Sequence, residues 1–394
     1  MLQKLINNPL IKVVRRENSR IANSWILVFS TVIAPVSTFV IIIWLFSASV
    51  VRNLPVAVVD MDQTAFSFKV TRLIDAASVC KVYCRLNSVY EAKKMMDEGR
   101  IDAFIILPPN LEQKMMNIES PAVEVNINNT YLGKGGALKS GLYTTLSNVS
   151  AGVKVQIAVK KGQNPEQAIE KARPVKANVH LLFNPFGNYA YFLVLGLLPL
   201  LSVVFIFLGS VYALGMEFKE GTAGDLISEA GNNITVALSG KMLPYTFLFF
   251  ISMLIMDLFL VRTLGTPLRG SLALILASEI LLIVSYQLLA ILFLKLTANL
   301  RLSLSLGSAY TMMALTFSGL TFPVMAMPLA AKLFSYVFPY TYWLHIFMSQ
   351  TLRGEPAAET IYSFLAFIPF ILAGFLAFPG TKRKLSDPVY WFRE

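Results

Sequence analysis

Glu279 and Asp257 each lie inside a long apolar run of the sequence, where a carboxylate is unusual. A charge at the centre of a bilayer costs about 2.5–3.5 kcal/mol on insertion scales, so such a group needs a partner, water or a proton. Two roles remain open for Glu279: it lines a path that attracts cationic compounds, or it holds helices together as a hydrogen-bonded or protonated group. Asp257, with Arg262 close by in sequence, is better explained as a structural residue.

A second group of carboxylates follows another apolar run, within the segment Met216–Asn233. Its four members are Glu217, Glu220, Asp225 and Glu229. A short acidic helix at this place is suited to docking into a groove on a partner protein. The alternative is a solvated loop in which Gly221 and Gly224 simply turn the chain.

Nucleotide-binding chemistry is absent from the sequence. No Gly-x-x-x-x-Gly-Lys-Ser/Thr motif occurs, so the chain has no P-loop that could surround phosphates. The segment Gly133–Gly136 lacks the required spacing, and Ser239–Lys241 lacks the first glycine. If the protein uses ATP, a separate chain must bind it.

Catalytic and metal-binding patterns are also missing. His180 and His345 are far apart, and no acidic residues join either one into a recognisable triad or metal cluster. The Cys-x-x-x-Cys spacing of Cys80 and Cys84 is not by itself a zinc site, and we expect two unpaired, half-buried thiols. We therefore expect no catalytic residue, metal or cofactor on this chain.

The composition is that of a membrane protein. Hydrophobic residues make up 55% of the 394 residues and charged residues 14%, whereas a soluble chain carries about 25% charged residues. The net charge of +11 reflects Lys and Arg residues that flank the first and last apolar runs. Such residues fix membrane topology and contact anionic headgroups, so a lipid bilayer explains the charge and nucleic acid does not.

Six apolar runs approximate the ~20 residues that cross about 30 Å of hydrocarbon. They are Trp25–Ala48, Ala190–Leu214, Leu238–Val261, Leu272–Leu294, Leu302–Leu320 and Ile361–Phe378. The distribution of Lys and Arg favours cytoplasmic N- and C-termini in a bacterial cytoplasmic membrane. The expected fold is an α-helical polytopic membrane protein with about six transmembrane helices.

Two terminal segments flank these spans. Residues 1–24 mix basic and apolar side chains, which predicts an amphipathic interfacial helix on the cytoplasmic side. Within it, Arg15, Arg16 and Glu17 have two equally supported roles: binding lipid headgroups, or contacting the same partner as the acidic segment. Residues 381–394 form a basic cytoplasmic tail.

The stretch 322–354 is apolar but interrupted by proline. A straight span is excluded, and re-entrant or interfacial short helices fit better because irregular backbone at membrane depth must be shielded. An ordinary external loop is the alternative. Four aromatic side chains here are typical of a membrane–water interface: Tyr336, Tyr340, Tyr342 and Trp343.

Residues 49–188, between the first and second spans, change character and predict a separate α/β domain outside the membrane. The expected strands are Pro55–Val59, Ile101–Leu107, Ala122–Ile127 and Val175–Phe183. The expected helices are Ala65–Ala77, one that opens at Ser88 and ends at Gly99, and Lys134–Lys161.

The fifth predicted span combines small residues with large, flexible ones. Small residues permit close contact between helices. Met312, Met313 and Phe317 offer an adaptable apolar surface for varied substrates. Together with Glu279, these three side chains form the candidate substrate path.

Four local patterns, in this order along nearly the whole chain, resemble the permease subunits of ABC-2 type exporters. They are Val56–Asp62 after the first span, Tyr90–Ala92 with Gly99–Pro109, Met216–Thr222 with its Glu-x-x-x-Gly-Thr pattern, and Ser318–Pro323 with Met327–Pro328 and Pro339–Trp343. Each is weak alone, and their order on the topology makes the set specific.

The resemblance implies a permease that works as a homodimer, or as a pair of related permeases, with P-loop ATPase subunits that carry ATP and Mg. It implies export of drugs or other amphiphiles, and a periplasmic adaptor with an outer-membrane channel in some members. It assigns the cytoplasmic segment 215–237, within residues 189–380, to ATPase coupling. The coupling residues are then Glu217, Glu220, Gly221, Thr222 and Asp225, with Arg15, Arg16 and Glu17.

Two other functions remain compatible with the sequence. A proton-coupled secondary transporter would relay protons through Glu279 and Asp257 and would need no ATPase. A membrane receptor or scaffold would use the α/β domain as a binding module and would tolerate loss of the charges within the spans.

Overall fold

The computed structural model describes residues 8–47, 51–117, 119, 121–160, 162, 164, 182–184 and 188–392. The chain forms two compact units. Unit 1 comprises Met1–Ser47 with Ala190–Glu394, and unit 2 comprises Ala48–Tyr189.

Unit 1 is helical throughout its described part. It contains α1 Pro9–Asn23 and α2 Trp25–Leu45, and later α7 Tyr189–Glu220, α8 Ala223–Glu229, α9 Ile234–Arg262, α10 Leu272–Thr297, α11 Leu300–Phe317, α12 Leu329–Ser335, α13 Pro339–Met348, α14 Ala357–Leu365 and α15 Ile368–Ser386. Helix α2 includes a π-helical turn at Phe29–Ile33. One continuous apolar core joins most of these helices.

Five helical segments in the described residues are long and apolar enough to cross a membrane: Trp25–Leu45, Ala190–Glu220, Ile234–Arg262, Leu272–Thr297 and Ala357–Ser386. The last of these segments contains both α14 and α15. The predicted span Leu302–Leu320 is helical as α11, but it is not among these five. Its 18 residues reach about 27 Å at 1.5 Å per residue, and they include a charged residue and several hydroxyl side chains. The count of six spans therefore remains a prediction.

The segment 215–237 is mostly helix rather than loop. Helix α7 runs through Met216 and ends at Glu220 because Gly221 takes a left-handed conformation, with φ of +70°. Helix α8 follows, and α9 begins at Ile234 because the Asn233 side chain accepts hydrogen bonds from the backbone at its first turn. The connection between the two long helices is thus short and ordered.

The stretch 322–354 contains a 3₁₀ turn at Val324–Ala326, then α12, α13 and a π-helical turn at Ser349–Arg353. Tyr340 and Trp343, two of the predicted interface residues, are fully buried in the protein, so they face the helix core, and their depth in a membrane stays a prediction. Trp343 stacks on Phe347 with ring centroids 4.6 Å apart, and the Tyr340 hydroxyl donates to a backbone carbonyl of α7. These aromatic side chains fill the core between helices.

Unit 2 is built on a four-stranded sheet of order β2-β1-β3-β4. The elements are β1 Leu54–Asp60, α3 Ala65–Asp75, β2 Cys80–Leu86, α4 Val89–Asp97, β3 Ala103–Leu107, α5 Leu111–Met116, β4 Glu124–Ile127 and α6 Leu132–Lys160. Strand β1 pairs parallel with both neighbours, and β4 pairs antiparallel with β3.

The predicted strands at Pro55–Val59, Ile101–Leu107 and Ala122–Ile127 are present with ends shifted by one or two residues. Strand β2 was not predicted, although its side chains alternate between buried and exposed along the strand. Cys80 and Cys84 are free thiols on this strand, buried and half-buried. Most of the predicted strand Val175–Phe183 lies outside the described residues.

Candidate functional site

A cluster of charged side chains lies inside unit 1, where α1, α7 and α9 meet. Lys241 of α9 is at its centre, with Nζ 2.6 Å from Glu17 Oε2 of α1 and 2.8 Å from Glu217 Oε1 of α7. The three side chains are 0–1% exposed. Charges this deeply buried are maintained only when they are paired and hydrogen-bonded, so the cluster fixes how the three helices pack.

Local sequence places α1 against α9. Asn8 caps the first turn of α1 with its side chain, and Pro9 takes the first helical position, where its missing N–H has no cost. Val13 and Glu17, one turn apart, are the buried residues of this helix. Val13 packs on Gly240, where an added Cβ would lie 2.9 Å from Val13 Cβ. The glycine therefore permits the close approach that brings Glu17 to Lys241.

Glu217 is the most heavily hydrogen-bonded carboxylate of the cluster. Arg16 binds it with two parallel hydrogen bonds of 3.0 and 2.9 Å, the bidentate geometry that suits a guanidinium and a carboxylate. Arg20 Nη1 donates at 2.8 Å, the Thr222 hydroxyl at 2.6 Å and Lys241 at 2.8 Å. Both oxygens are thus satisfied, and the carboxylate holds the turn after α7 as well as α1.

The remaining side chains extend the cluster. The Tyr245 hydroxyl donates to Glu17 Oε1 at 2.7 Å, and Arg20 reaches Glu220 at 2.5 Å. Glu229 Oε2 lies 3.9 Å from Arg16 Nε, so three cations, Arg16, Arg20 and Lys241, face four carboxylates, Glu17, Glu217, Glu220 and Glu229. Burial acts to lower the pKa of Arg16, but its hydrogen bond to Glu217 and nearby carboxylates raise that pKa overall, so the guanidinium stays charged.

Helix α8 lies directly beside this cluster. Its buried residues are Ala223, Leu226 and Ile227, whereas Asp225 and Glu229 are exposed. The end of the described chain packs on the turn before it, because the Phe392 ring lies beside Gly221, and the Phe392 backbone N–H donates to the carbonyl of Phe218 in α7 at 2.8 Å. Helix α8 is therefore a short, supported element with an acidic outer face.

The predicted coupling residues divide into two groups. Arg16, Glu17, Glu217, Glu220 and Thr222 come together in the cluster, and Gly221 forms the turn beside it. Arg15 and Asp225 are exposed, and neither forms an ion pair within the described residues.

Sequence reasoning missed Lys241 and Tyr245. Lys241 lies near the start of a long apolar helix, and a lone lysine at that position was a usable signal, because a buried charge needs partners. Nothing local indicated that its partner is Glu17, which is 224 positions away.

The residues of the predicted substrate path do not form one cluster as the coupling residues do. Glu279 is fully buried in α10, and neither of its carboxyl oxygens has a hydrogen-bond partner among the described residues. Met312 and Met313 of α11 are 54% and 39% exposed. Phe317 packs edge-to-face on Phe334, with ring centroids 4.9 Å apart. Within the described residues, no hydrogen bond links Glu279 to these three side chains.

Within the described residues, no three His, Cys, Asp or Glu side chains are grouped so that they could hold a metal ion. The His345 Nδ1 atom is 3.5 Å from the Ser363 hydroxyl, and no carboxylate completes a triad there among the described residues. His180 lies outside them.

A family model for ABC-2 family transporter proteins matches residues 25–378 of the chain. The chain belongs to the ABC-2 transporter family. Two related proteins support this assignment, each the probable multidrug ABC transporter permease YbhS, one from Escherichia coli strain K12 and one from E. coli O157:H7. Each is 23% identical over 298 residues, which cover 74% of this chain and 75% of the relative.

Membership of the family makes the chain a membrane-embedded transport subunit, in agreement with its long apolar helices. Permeases of this family generally work with an ATPase subunit and often as dimers.

Proposed function

We propose that the chain is the permease subunit of an ATP-driven exporter in a bacterial cytoplasmic membrane. It moves an amphiphilic substrate, drug-like or lipid-like, outward. ATP and Mg are bound by a separate P-loop ATPase subunit, since the sequence contains no P-loop. Both termini and α8 lie on the cytoplasmic side, and unit 2 lies outside the membrane.

The observation that carries this proposal is the buried cluster around Glu217. It joins three elements that an ATPase could move together: the interfacial helix α1, the end of α7 and the start of α9. Helix α8 offers Asp225 and Glu229 to the ATPase, and force applied there reaches both spans because the cluster resists separation. Arg16, Glu17 and Glu217 are then positioning residues, and Asp225 is a contact residue.

The working assembly contains a second copy of this chain or a related permease. The exposed methionines of α11 are available to such a partner or to lipid. A periplasmic adaptor and an outer-membrane channel would complete the path in a cell with two membranes.

The decisive experiment is purification of the tagged protein from its source cells, with co-purifying chains identified by mass spectrometry. We expect a stoichiometric P-loop ATPase with the wild-type protein and with the control Asp97→Lys, which changes an exposed residue of unit 2. Asp225→Lys reverses a charge on the outer face of α8 and should remove the ATPase without lowering the melting temperature. If no ATPase accompanies the wild-type protein after gentle cross-linking, or if Asp225→Lys retains it, the proposal fails.

One observation favours a second function. The buried carboxyl group of Glu279 has no hydrogen-bond partner among the described residues, and it interacts electrostatically with Asp257 of α9. A proton-coupled secondary transporter would use this pair as its proton site. Substrate accumulation in vesicles with a proton gradient, in the absence of any ATPase, would favour that function over the exporter.

A further inference from the structure

Unit 2 contains an elongated groove with a volume of about 1120 Å³. Residues of α3, α5, β4 and α6 line it, and most of them are apolar. Representative lining residues are Phe66, Met115, Val125, Leu146, Val149 and Ile157. Ligand pockets are typically about 300–1,000 Å³ and largely apolar with a few polar groups, so the groove is of ligand-binding size.

Helix α6 supplies one wall through a single apolar stripe. Leu138 and Leu142, at its N-terminal half, are buried on the sheet. The same stripe continues with Leu146, Val149 and Ile157, which are only half-buried. From Leu146 to Ile157 this open half is about 16 Å long, at 1.5 Å per residue. The helix therefore presents an extended apolar surface that the described part of unit 2 does not cover.

Strand β4, α3 and α5 supply the rest of the groove lining. Val123, Val125 and Ile127 alternate along the strand segment and direct one row of side chains into the groove. Phe66 and Met115 close the floor from α3 and α5. The result is a long slot that suits a linear apolar chain.

The charges of the groove favour an anion. Lys139 and Lys154 of α6 line it, against one carboxylate, Glu119. Neither lysine has a carboxylate within ion-pair distance among the described residues. Both lysines are exposed, so their ammonium groups are available to an anionic group of a ligand whose apolar part lies in the groove.

We propose that this groove binds a single-chain amphiphile with an anionic head, such as a long-chain carboxylate. The apolar chain lies along Leu146, Val149 and Ile157, and the head pairs with Lys139 or Lys154. This binding site goes beyond the proposed export function, because it requires neither an ATPase nor outward transport.

The test uses the full-length protein in nanodiscs of zwitterionic phosphatidylcholine. A diazirine-labelled palmitic acid is added and irradiated, and the labelled peptides are identified by mass spectrometry. The methyl ester of the same probe is the uncharged comparison. We expect saturable labelling within residues 123–157 by the acid, and about tenfold weaker labelling by the ester, the loss expected when a charge-assisted contact is removed.

Two kinds of variant test separately how the lysine charges and the apolar slot contribute to labelling. Lys139→Glu with Lys154→Glu should reduce labelling about tenfold, and Val149→Trp should reduce it by filling the slot. The matched control, Lys93→Glu, changes an exposed lysine of α4 that does not line the groove and should label as the wild-type protein does. The charge-reversed protein alters only exposed side chains, so its fold is kept even if the tryptophan variant misfolds.

Three results would overturn the proposal. Equal labelling by acid and ester would show that the groove does not recognise the charge. Labelling confined to the membrane spans would show that the probe only partitions into apolar helices. Absence of label within residues 123–157 at any concentration would show that the groove does not bind the acid. Each leaves the exporter proposal intact, because no readout depends on ATP or transport.

Discussion

The Nζ atom of Lys241 lies 2.6 Å from Oε2 of Glu17, although the two residues are 224 positions apart in the sequence. The same ammonium group lies 2.8 Å from Glu217. Because all three side chains are buried, water cannot replace these partners when one is removed. The position of α1 is therefore tied to α7 and α9 by charge as well as by apolar packing.

Replacement of Lys241 by methionine should strongly destabilise the protein. Two buried carboxylates would lose a shared cation, and breaking a buried pair costs about 3–5 kcal/mol. The melting temperature, measured by circular dichroism in detergent, should fall well below that of the wild type. Lys219→Met, which changes an exposed lysine at the end of α7, is the control and should leave it nearly unchanged.

The double variant Lys241→Met with Glu17→Gln tests whether that loss comes from the unpaired charge. Neutralising Glu17 removes one of the carboxylates left without a cation, so the double variant should be more stable than Lys241→Met alone by about 0.5–3 kcal/mol. A double variant that is less stable than either single variant would show that packing, and not charge, is responsible.

Replacing Arg16 by alanine should lower the stability of the protein much more than replacing its neighbour Arg15. Arg16→Ala removes a bidentate contact to buried Glu217, and each hydrogen bond to a charged group is worth about 1.5–3 kcal/mol. Arg15→Ala changes an exposed side chain and should stay within about 0.5 kcal/mol of the wild type. Melting temperatures of the two purified variants provide the measurement. Equal effects would contradict the described orientation of α1.

A side chain at Gly240 should displace α1. In Gly240→Val the new Cβ would meet Val13 at 2.9 Å, and overpacking of this kind costs about 1–3 kcal/mol. A displaced α1 unfolds locally more often, which opens the backbone at Arg15 and Arg16 to trypsin, so the cleavage rate there should rise about tenfold for each 1.4 kcal/mol of destabilisation. Ser239→Val, at an exposed position of the same helix, should cleave at the wild-type rate.

Glu279→Leu should keep the stability of the protein and lose transport of a cationic substrate. The carboxyl oxygens of Glu279 have no hydrogen-bond partner among the described residues, and the neighbour it interacts with, Asp257, is also acidic, so the change leaves no cation without its counter-ion. Uptake of ethidium into inverted vesicles is the readout. Ser285→Ala, at another buried position of α10, is the control and should transport normally. Unchanged ethidium transport in Glu279→Leu would remove this residue from the substrate path.

Local patterns in the sequence were sufficient for several elements. Apolar runs identify the long helices because hydropathy over ~20 residues does not depend on neighbours in space. The period of two in Val123, Val125 and Ile127 predicts β4 for the same reason. Strand β2 was not predicted because Lys81 and Arg85 occupy its exposed face. Its side chains nevertheless alternate as regularly as those of β4.

Burial of the aromatic residues could not be decided from the sequence. Tyr340 and Trp343 have the composition of a membrane interface, yet both lie in the core of unit 1. Amphipathic rings suit either environment, and only the packing of α13 against the neighbouring helices selects one.

The sequence by itself determined that this protein is embedded in a membrane, carries an α/β unit and binds no nucleotide through a P-loop of its own. It also placed acidic residues after the second span. Only the tertiary structure decided that Glu17 and Glu217 share Lys241, whereas Arg15 and Asp225 remain exposed. The physical reason is that a buried charge selects its partner by position in space, and residues 224 positions apart leave no local pattern of their contact.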